Sequence, residues 1–186
     1  MKFTPEDYDK KNRDWALTFS VWRAFIKRYL LSYKVQICNA DSILEIGSGN
    51  STIILQELNK NNVKVLDTIS DLNPDFCIDI CNQSTSESYD VISCCDILEH
   101  TKRPWLAAQN IQSMMKSDTL VLLTVPCNLS WHPMGGPALY GDYWRFFPDS
   151  ILLLFNKCKT IFNSVCEHPS SGKMFPIGIC HTLMLK

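Results

Sequence analysis

The chain has 186 residues, 46% of them hydrophobic and 20% charged, the balance of one globular domain that buries roughly 70% of its unfolded surface. That balance excludes a disordered or fibrous chain, and a net charge of -1 excludes a general electrostatic pull toward nucleic acid or an anionic membrane. Nine cysteines, an odd number with no C-x-x-C pair and no apolar leader, read as reduced thiols of a cytoplasmic protein; no metal site is expected. No apolar run approaches the roughly 20 residues of a membrane span.

From Pro5 to Tyr33, the spacing of Trp15, Phe19, Trp22, Phe25, Ile26, Tyr29 and Leu30 fits one helical stripe. This segment is expected to pack on the domain, with its start near the ligand site. From Asp41 short apolar runs alternate with amphipathic stretches, the pattern of a parallel sheet with crossover helices. Strands are expected at Ser42–Ile46, Val63–Asp67, Val91–Cys95, Thr119–Val125, Thr160–Cys166 and Ile177–Leu185, with a short additional one at Phe76–Ile80. Helices are expected at Thr52–Asn59, Trp105–Lys116 and Asp149–Asn156; Arg103-Pro104 opens the second and Asp149 caps the third. No repeat or linker divides the chain. Residues 1–186 therefore read as one domain, a helical segment over 1–40 followed by an α/β core over 41–186.

Ile43-Leu44-Glu45-Ile46 runs straight into Gly47-Ser48-Gly49-Asn50-Ser51 and then into a helical stretch. Glycines between a strand and a helix allow a sharp turn and a close approach of ligand to backbone. The loop is expected to offer free amides and a helix N-terminus to a polar ligand. A dinucleotide fingerprint would carry a third glycine where Thr52 stands, and a phosphate loop would continue Gly-Lys-Ser or Gly-Lys-Thr, which this chain lacks.

The run Leu44-Glu45-Ile46-Gly47-Ser48-Gly49 resembles the first motif of the class I S-adenosylmethionine-dependent methyltransferases, with Ser51 at the place of a frequent third glycine. The resemblance continues in order. Asp67, closing the strand that begins at Val63, corresponds to the carboxylate that binds the cofactor's ribose, and Asp71 competes for that place. Asp79 and Ile80 correspond to the residues that meet the adenine. Tyr89 to His100, ending Cys94-Cys95-Asp96-Ile97-Leu98-Glu99-His100, resembles the fourth-strand motif of the group with a leucine-glutamate-histidine triplet. By resemblance Glu45, Gly47, Ser48, Gly49, Asp67 or Asp71, Asp79, Ile80, Cys95 and Asp96 hold S-adenosylmethionine, Glu45 either ordering the loop or meeting the amino group. The implied fold is a single-domain, Rossmann-like, seven-stranded, mostly parallel sheet with an antiparallel last strand and helices on both faces.

A long segment rich in Gly, Pro and aromatics, Pro126 to Pro148, could hold the methyl acceptor. It resembles a subgroup with a histidine-proline segment followed by aspartate-tyrosine-tryptophan-arginine, here Asp142 to Arg145, associated with surface-polysaccharide biosynthesis. That implies a small-molecule or sugar hydroxyl acceptor. Deprotonating a hydroxyl calls for a base, and an imidazole titrates near neutral pH, so His132 and then His100 are the candidates. Trp131, Tyr140, Tyr143 and Trp144 could stack on the acceptor or form the loop's own small core. Asp142 and Arg145 could bind its polar groups, or pair with each other and pin the loop. His168 and His181 read as structural. Two other readings stay open: a nucleotide-cofactor oxidoreductase of the NAD type, and a non-catalytic S-adenosylmethionine-binding partner protein. Nucleic-acid amino methylation is disfavoured, since Cys95-Asp96-Ile97-Leu98 replaces the Asn/Asp-Pro-Pro-aromatic tetrapeptide.

Overall fold

The computed structural model describes the backbone of residues 5–129, 141–167 and 176–186, with the side chains of these except residues 5–16 and 50. Two helices come first, α1 (Pro5–Ser32) and the short α2 (Lys34–Asn39). Then β1 (Ile43–Ile46), α3 (Asn50–Asn59), β2 (Val63–Asp67), β3 (Phe76–Cys77) and β4 (Tyr89–Cys95) follow. The chain continues through α4 (Pro104–Ser113), β5 (Met115–Pro126), α5 (Pro148–Leu154), β6 (Cys158–Cys166) and β7 (Gly178–Leu185).

The strands form one seven-stranded sheet in the order β3-β2-β1-β4-β5-β7-β6. Strands β1 to β5 pair in parallel, and β7 runs antiparallel to both β5 and β6. The central strands are apolar almost throughout because both faces of the sheet are covered. On one face Leu44, Ile46, Ile92, Cys94, Leu123 and Ile179 meet Ala107, Ala108 and Ile111 of α4, Ile151 of α5 and Phe155 just after it. On the other, Ile43, Val91, Leu122 and Cys180 meet Trp22, Ile26 and Leu30 of α1, Ile37 of α2 and Leu55 of α3. The assignment alternates residue by residue along each strand, as a period-two side-chain pattern requires. The expected architecture, with a switch point between β1 and β4, is therefore present.

Helix α2 was not expected as a separate element, and several boundaries shift by a few residues from the sequence reading, among them the following. Helix α4 stops at Ser113, and Lys116 lies in β5, where it pairs with Asp90 of the neighbouring strand. Asp149 does not cap α5: Phe147 is the cap residue and Pro148 the first helical residue, since proline's fixed φ and missing N–H suit that position. Strand β3 ends at Cys77, so Asp79 and Ile80 lie in the turn beyond it.

Helix α1 is fastened to β7. The Tyr29 hydroxyl donates to the His181 carbonyl at 2.7 Å, and the Trp22 ring lies so close to Gly178 that a Cβ there would sit 2.5 Å from it. His181 itself is 1% exposed, and neither ring nitrogen has a hydrogen-bond partner. Burial pushes its pKa down to about 4. The unfolded chain, with an ordinary value near ~6.5, then binds one proton more between these limits, so stability falls as pH drops through that window. Urea unfolding should show a loss on the order of 3 kcal/mol between neutral pH and pH 4 from this residue. His181→Leu should flatten that part of the profile; an unchanged profile would assign the acid sensitivity elsewhere.

Candidate active site

A cavity of about 630 Å³ opens at the carboxyl ends of β1, β2 and β4, the place where open α/β sheets bind their ligands. Its wall takes Gly47, Ser48, Gly49 and Ser51 from the glycine loop and Asp67 and Ile69 from the end of β2. Asp79, Ile80 and Cys81 follow β3, and Cys95, Asp96, Ile97 and His100 follow β4. Tyr143 and Gly141 complete it on one side, and Phe19, Arg23 and Ile26 of α1 on another.

Gly47 has φ +88°, a conformation open to glycine, and a Cβ there would fall 2.1 Å from Ile97 Cδ1. Its amide donates to the Leu66 carbonyl at 2.8 Å, that of Ser48 to Asp67 Oδ2 at 2.7 Å, and that of Gly49 to the Thr52 hydroxyl at 3.1 Å. All three amides are thus engaged within the protein, contrary to the expectation that the loop offers them free. A Cβ on Gly49 would meet nothing within 4 Å, which leaves room for a ligand against the backbone.

Glu45 is fully buried behind the loop and does not line the cavity; its carboxyl accepts the Ser51 hydroxyl. Burial pushes its pKa up to about 8, so it holds the loop as a neutral acid at neutral pH. Asp67 is 7% exposed and bridges two turns, accepting Ser48 N through Oδ2 and Ile69 N through Oδ1 at 2.9 Å. Asp71 is exposed on the following 3₁₀ turn and outside the wall. Asp79 accepts Cys81 N at 2.8 Å and Asn82 Nδ2 at 2.9 Å, shaping the turn that brings Ile80 to the cavity.

The end of β4 is the tightest part of the site. Asp96 has φ +56°, accepts Trp22 Nε1 at 2.8 Å through Oδ2 and the Thr124 hydroxyl at 3.1 Å through Oδ1. A left-handed aspartate held from two sides is strain of the kind that accumulates at ligand sites. Burial pushes the Cys95 thiol well up, so it contributes shape and not a thiolate.

The leucine-glutamate-histidine triplet and the aspartate-tyrosine-tryptophan-arginine segment pack together. His100 Nδ1 lies 2.8 Å from the Gly141 carbonyl, Tyr143 N donates to the Glu99 carbonyl at 2.8 Å, and Trp144 Nε1 to the Thr101 carbonyl at 2.9 Å. A carbonyl only accepts, so this contact places the ring proton on Nδ1 and makes Nε2 the basic nitrogen. Arg145 grips Asp142 with two N–H groups, one at 2.7 Å, and donates to the Leu129 carbonyl. The pair lies outside the wall, whereas the Tyr143 ring forms part of it. Glu99 is fully buried; among the described residues its carboxyl oxygens have no hydrogen-bond partner, and Oε1 lies 3.8 Å from His100 Nε2; burial, Asp96 and Asp142 raise its pKa well above the usual range. Trp131, His132 and Tyr140, like His168, lie outside the described residues.

Three features escaped the sequence reading. Trp22 reaches the end of β4, the middle of α1 lines the cavity, and Glu99 is a buried acid beside the His100 ring. The one available signal for α1 was an arginine, Arg23, flanking the apolar stripe. Among the described residues, no cluster of three or more His, Cys, Asp or Glu side chains could hold a metal ion, and no helix is long and apolar enough to cross a membrane.

A doubly wound sheet with its last strand antiparallel, and a cavity between the glycine loop and three strand-end aspartates, define the fold class of S-adenosylmethionine-dependent methyltransferases. The methyltransferase domain family matches residues 14–157, and the chain belongs to that family of enzymes. No curated protein matches it in sequence. Among solved structures it is similar to an S-adenosylmethionine-dependent methyltransferase from Clostridium acetobutylicum, with a TM-score of 0.64 and 13% identity over 86% of this chain and 90% of that one. It is also similar to the N-methyltransferase NodS from Bradyrhizobium japonicum in complex with S-adenosylhomocysteine, with a TM-score of 0.60 and 13% identity over 87% and 88% of the two chains. A third is the 1,6-didemethyltoxoflavin N1-methyltransferase from Burkholderia thailandensis, with a TM-score of 0.62 and 12% identity over 100% and 92%.

Proposed function

We propose that this methyltransferase takes its methyl group from S-adenosylmethionine and delivers it to a hydroxyl of a small molecule, a sugar in the leading case. The observation that carries the reading is the cavity itself. It joins the glycine loop, Asp67, Asp79 with Ile80, and Asp96 on one side to His100 and Tyr143 on the other. Thr52 at the place of a third glycine speaks against a dinucleotide, and the intact site speaks against a partner protein without activity.

The residues present fit the cofactor. Asp67 faces the cavity with two carboxylate oxygens that can accept from a vicinal diol. Asp79 and Ile80 supply an acceptor and an apolar surface for the adenine, and Gly49 leaves space against the backbone. When bound, the sulfonium supplies an electrophilic methyl carbon and a neutral thioether leaving group. The protein's part is alignment and the handling of one proton. His100 Nε2 is the atom that accepts the acceptor's proton, while the Nδ1 contact to Gly141 holds the ring. Tyr143 gives the acceptor a flat face.

Methyl transfer from labelled S-adenosylmethionine to a panel of sugars, nucleotide sugars and amines tests the reading. Amines belong in the panel because two similar structures are N-methyltransferases. A methyl ether product is expected, and turnover by His100→Ala should fall by about 100-fold with cofactor affinity unchanged. Transfer to amines alone would reject the hydroxyl assignment, and full activity in the variant would remove His100 as base.

A further inference from the structure

Accepting S-adenosylmethionine as the ligand, on which this inference rests, leaves its carboxylate without an assigned partner. Among the described residues the cavity wall carries three cations at two separate places. Lys102 and Arg103 stand with the turn after β3, where the Arg103 carbonyl accepts the Cys81 thiol at 3.6 Å and its guanidinium reaches Asn82. Arg23 stands apart on α1, beside Phe19 and Ile26, on the face of the sheet that α3 also covers. Ser51 and Ile54 of α3 complete that part of the wall, next to the glycine loop.

Two observations fix Arg23 there. Its neighbour Trp22 is fully buried, with the indole N–H on Asp96 and the ring against Gly178, so the backbone of this turn cannot drift from the end of β4. Its own guanidinium, on an exposed side chain, lies 4.4 Å from the centroid of the Phe19 ring, four residues earlier on the same helix, a contact that favours that orientation of the fork. A planar guanidinium stacked on an aromatic face still presents its in-plane N–H groups, and those match a carboxylate with two parallel hydrogen bonds.

We infer that Arg23 binds the carboxylate of the cofactor's amino-acid moiety, and that α1 forms a wall of the cofactor site as well as covering the sheet. The glycine loop, Asp67 and Asp79 then hold the rest of the molecule, and Arg23 decides between ligands with and without the amino-acid tail.

Calorimetry with two ligands isolates this contact: S-adenosylhomocysteine, and 5′-methylthioadenosine, which keeps the nucleoside thioether but lacks the amino acid. Arg23→Met should weaken S-adenosylhomocysteine by about 10- to 100-fold, the scale of a charge-assisted pair. Methylthioadenosine should bind both proteins within about twofold. Arg23→Lys should recover part of the loss, since it restores charge without the fork. Equal weakening of both ligands, or no change in either, overturns the assignment. A wild-type protein that binds neither ligand removes the cofactor reading itself, a result distinct from either.

Discussion

Arginine in place of Gly47 should abolish measurable binding of S-adenosylhomocysteine, a loss beyond about 1,000-fold, because three effects act at one position. The backbone there sits at φ +88°, which costs an L-residue about 1–2 kcal/mol. The first side-chain carbon would fall 2.1 Å from Ile97 Cδ1, pushing on the turn that carries Asp96. The remaining atoms would enter the cavity that the ligand needs. Gly49→Ala provides the contrast, since its Cβ meets nothing within 4 Å and its φ lies outside the left-handed region. That variant should keep the wild-type melting temperature and lose affinity, whereas Gly47→Arg should lose both. Calorimetry and thermal unfolding on the two proteins read the difference, and wild-type affinity in Gly47→Arg would refute the placement of the ligand.

Asp67→Ala carries the second large effect. The carboxylate caps Ser48 N and Ile69 N, so it couples the glycine loop to the turn after β2 while facing the cavity. Removing it takes away the acceptor for a ribose diol and leaves two backbone donors without their partner. Each charge-assisted hydrogen bond contributes about 1.5–3 kcal/mol, so affinity for S-adenosylhomocysteine should fall by about 100-fold or more. Asp67→Asn keeps the side-chain size and one good acceptor, and should fall between. Asp71→Ala should bind as wild type, because that side chain is exposed beyond the wall. A larger loss in Asp71→Ala than in Asp67→Ala would transfer the ribose contact to the 3₁₀ turn.

What was legible in the sequence is what depends on a few neighbouring residues. The apolar run Ile43 to Ile46 meeting Gly47 specifies a strand and a turn locally, and Asp67 and Asp96 stand at strand ends that the runs before them announce. The parallel sheet with crossover helices was legible in the alternation of strands and helices, whereas the order of its strands was not. Other features depend on partners far along the chain. Trp22 meets Asp96 across 74 residues, and no local pattern distinguishes that indole from any other in an apolar stripe. The polar start of β5 reads as a helix end until Asp90 is seen beside Lys116 and Thr119 beside the Tyr89 carbonyl. Engagement of the loop amides was invisible for the same reason: Leu66 and Asp67, which accept two of them, lie on the adjacent strand.

The place of β7 in the sheet ties the two ends of the described chain to one strand. This strand fills the slot between β5 and β6 and also provides the surfaces on which α1 rests, Gly178 beneath Trp22 and the His181 carbonyl beneath Tyr29. Until β7 is in place, β5 and β6 have no common partner and α1 has lost two of its anchors. Contacts that span 152 residues thus hold the wall that carries Phe19 and Arg23 against the glycine loop and the strand-end aspartates. The ligand cavity becomes whole only when the two ends of the described chain have met.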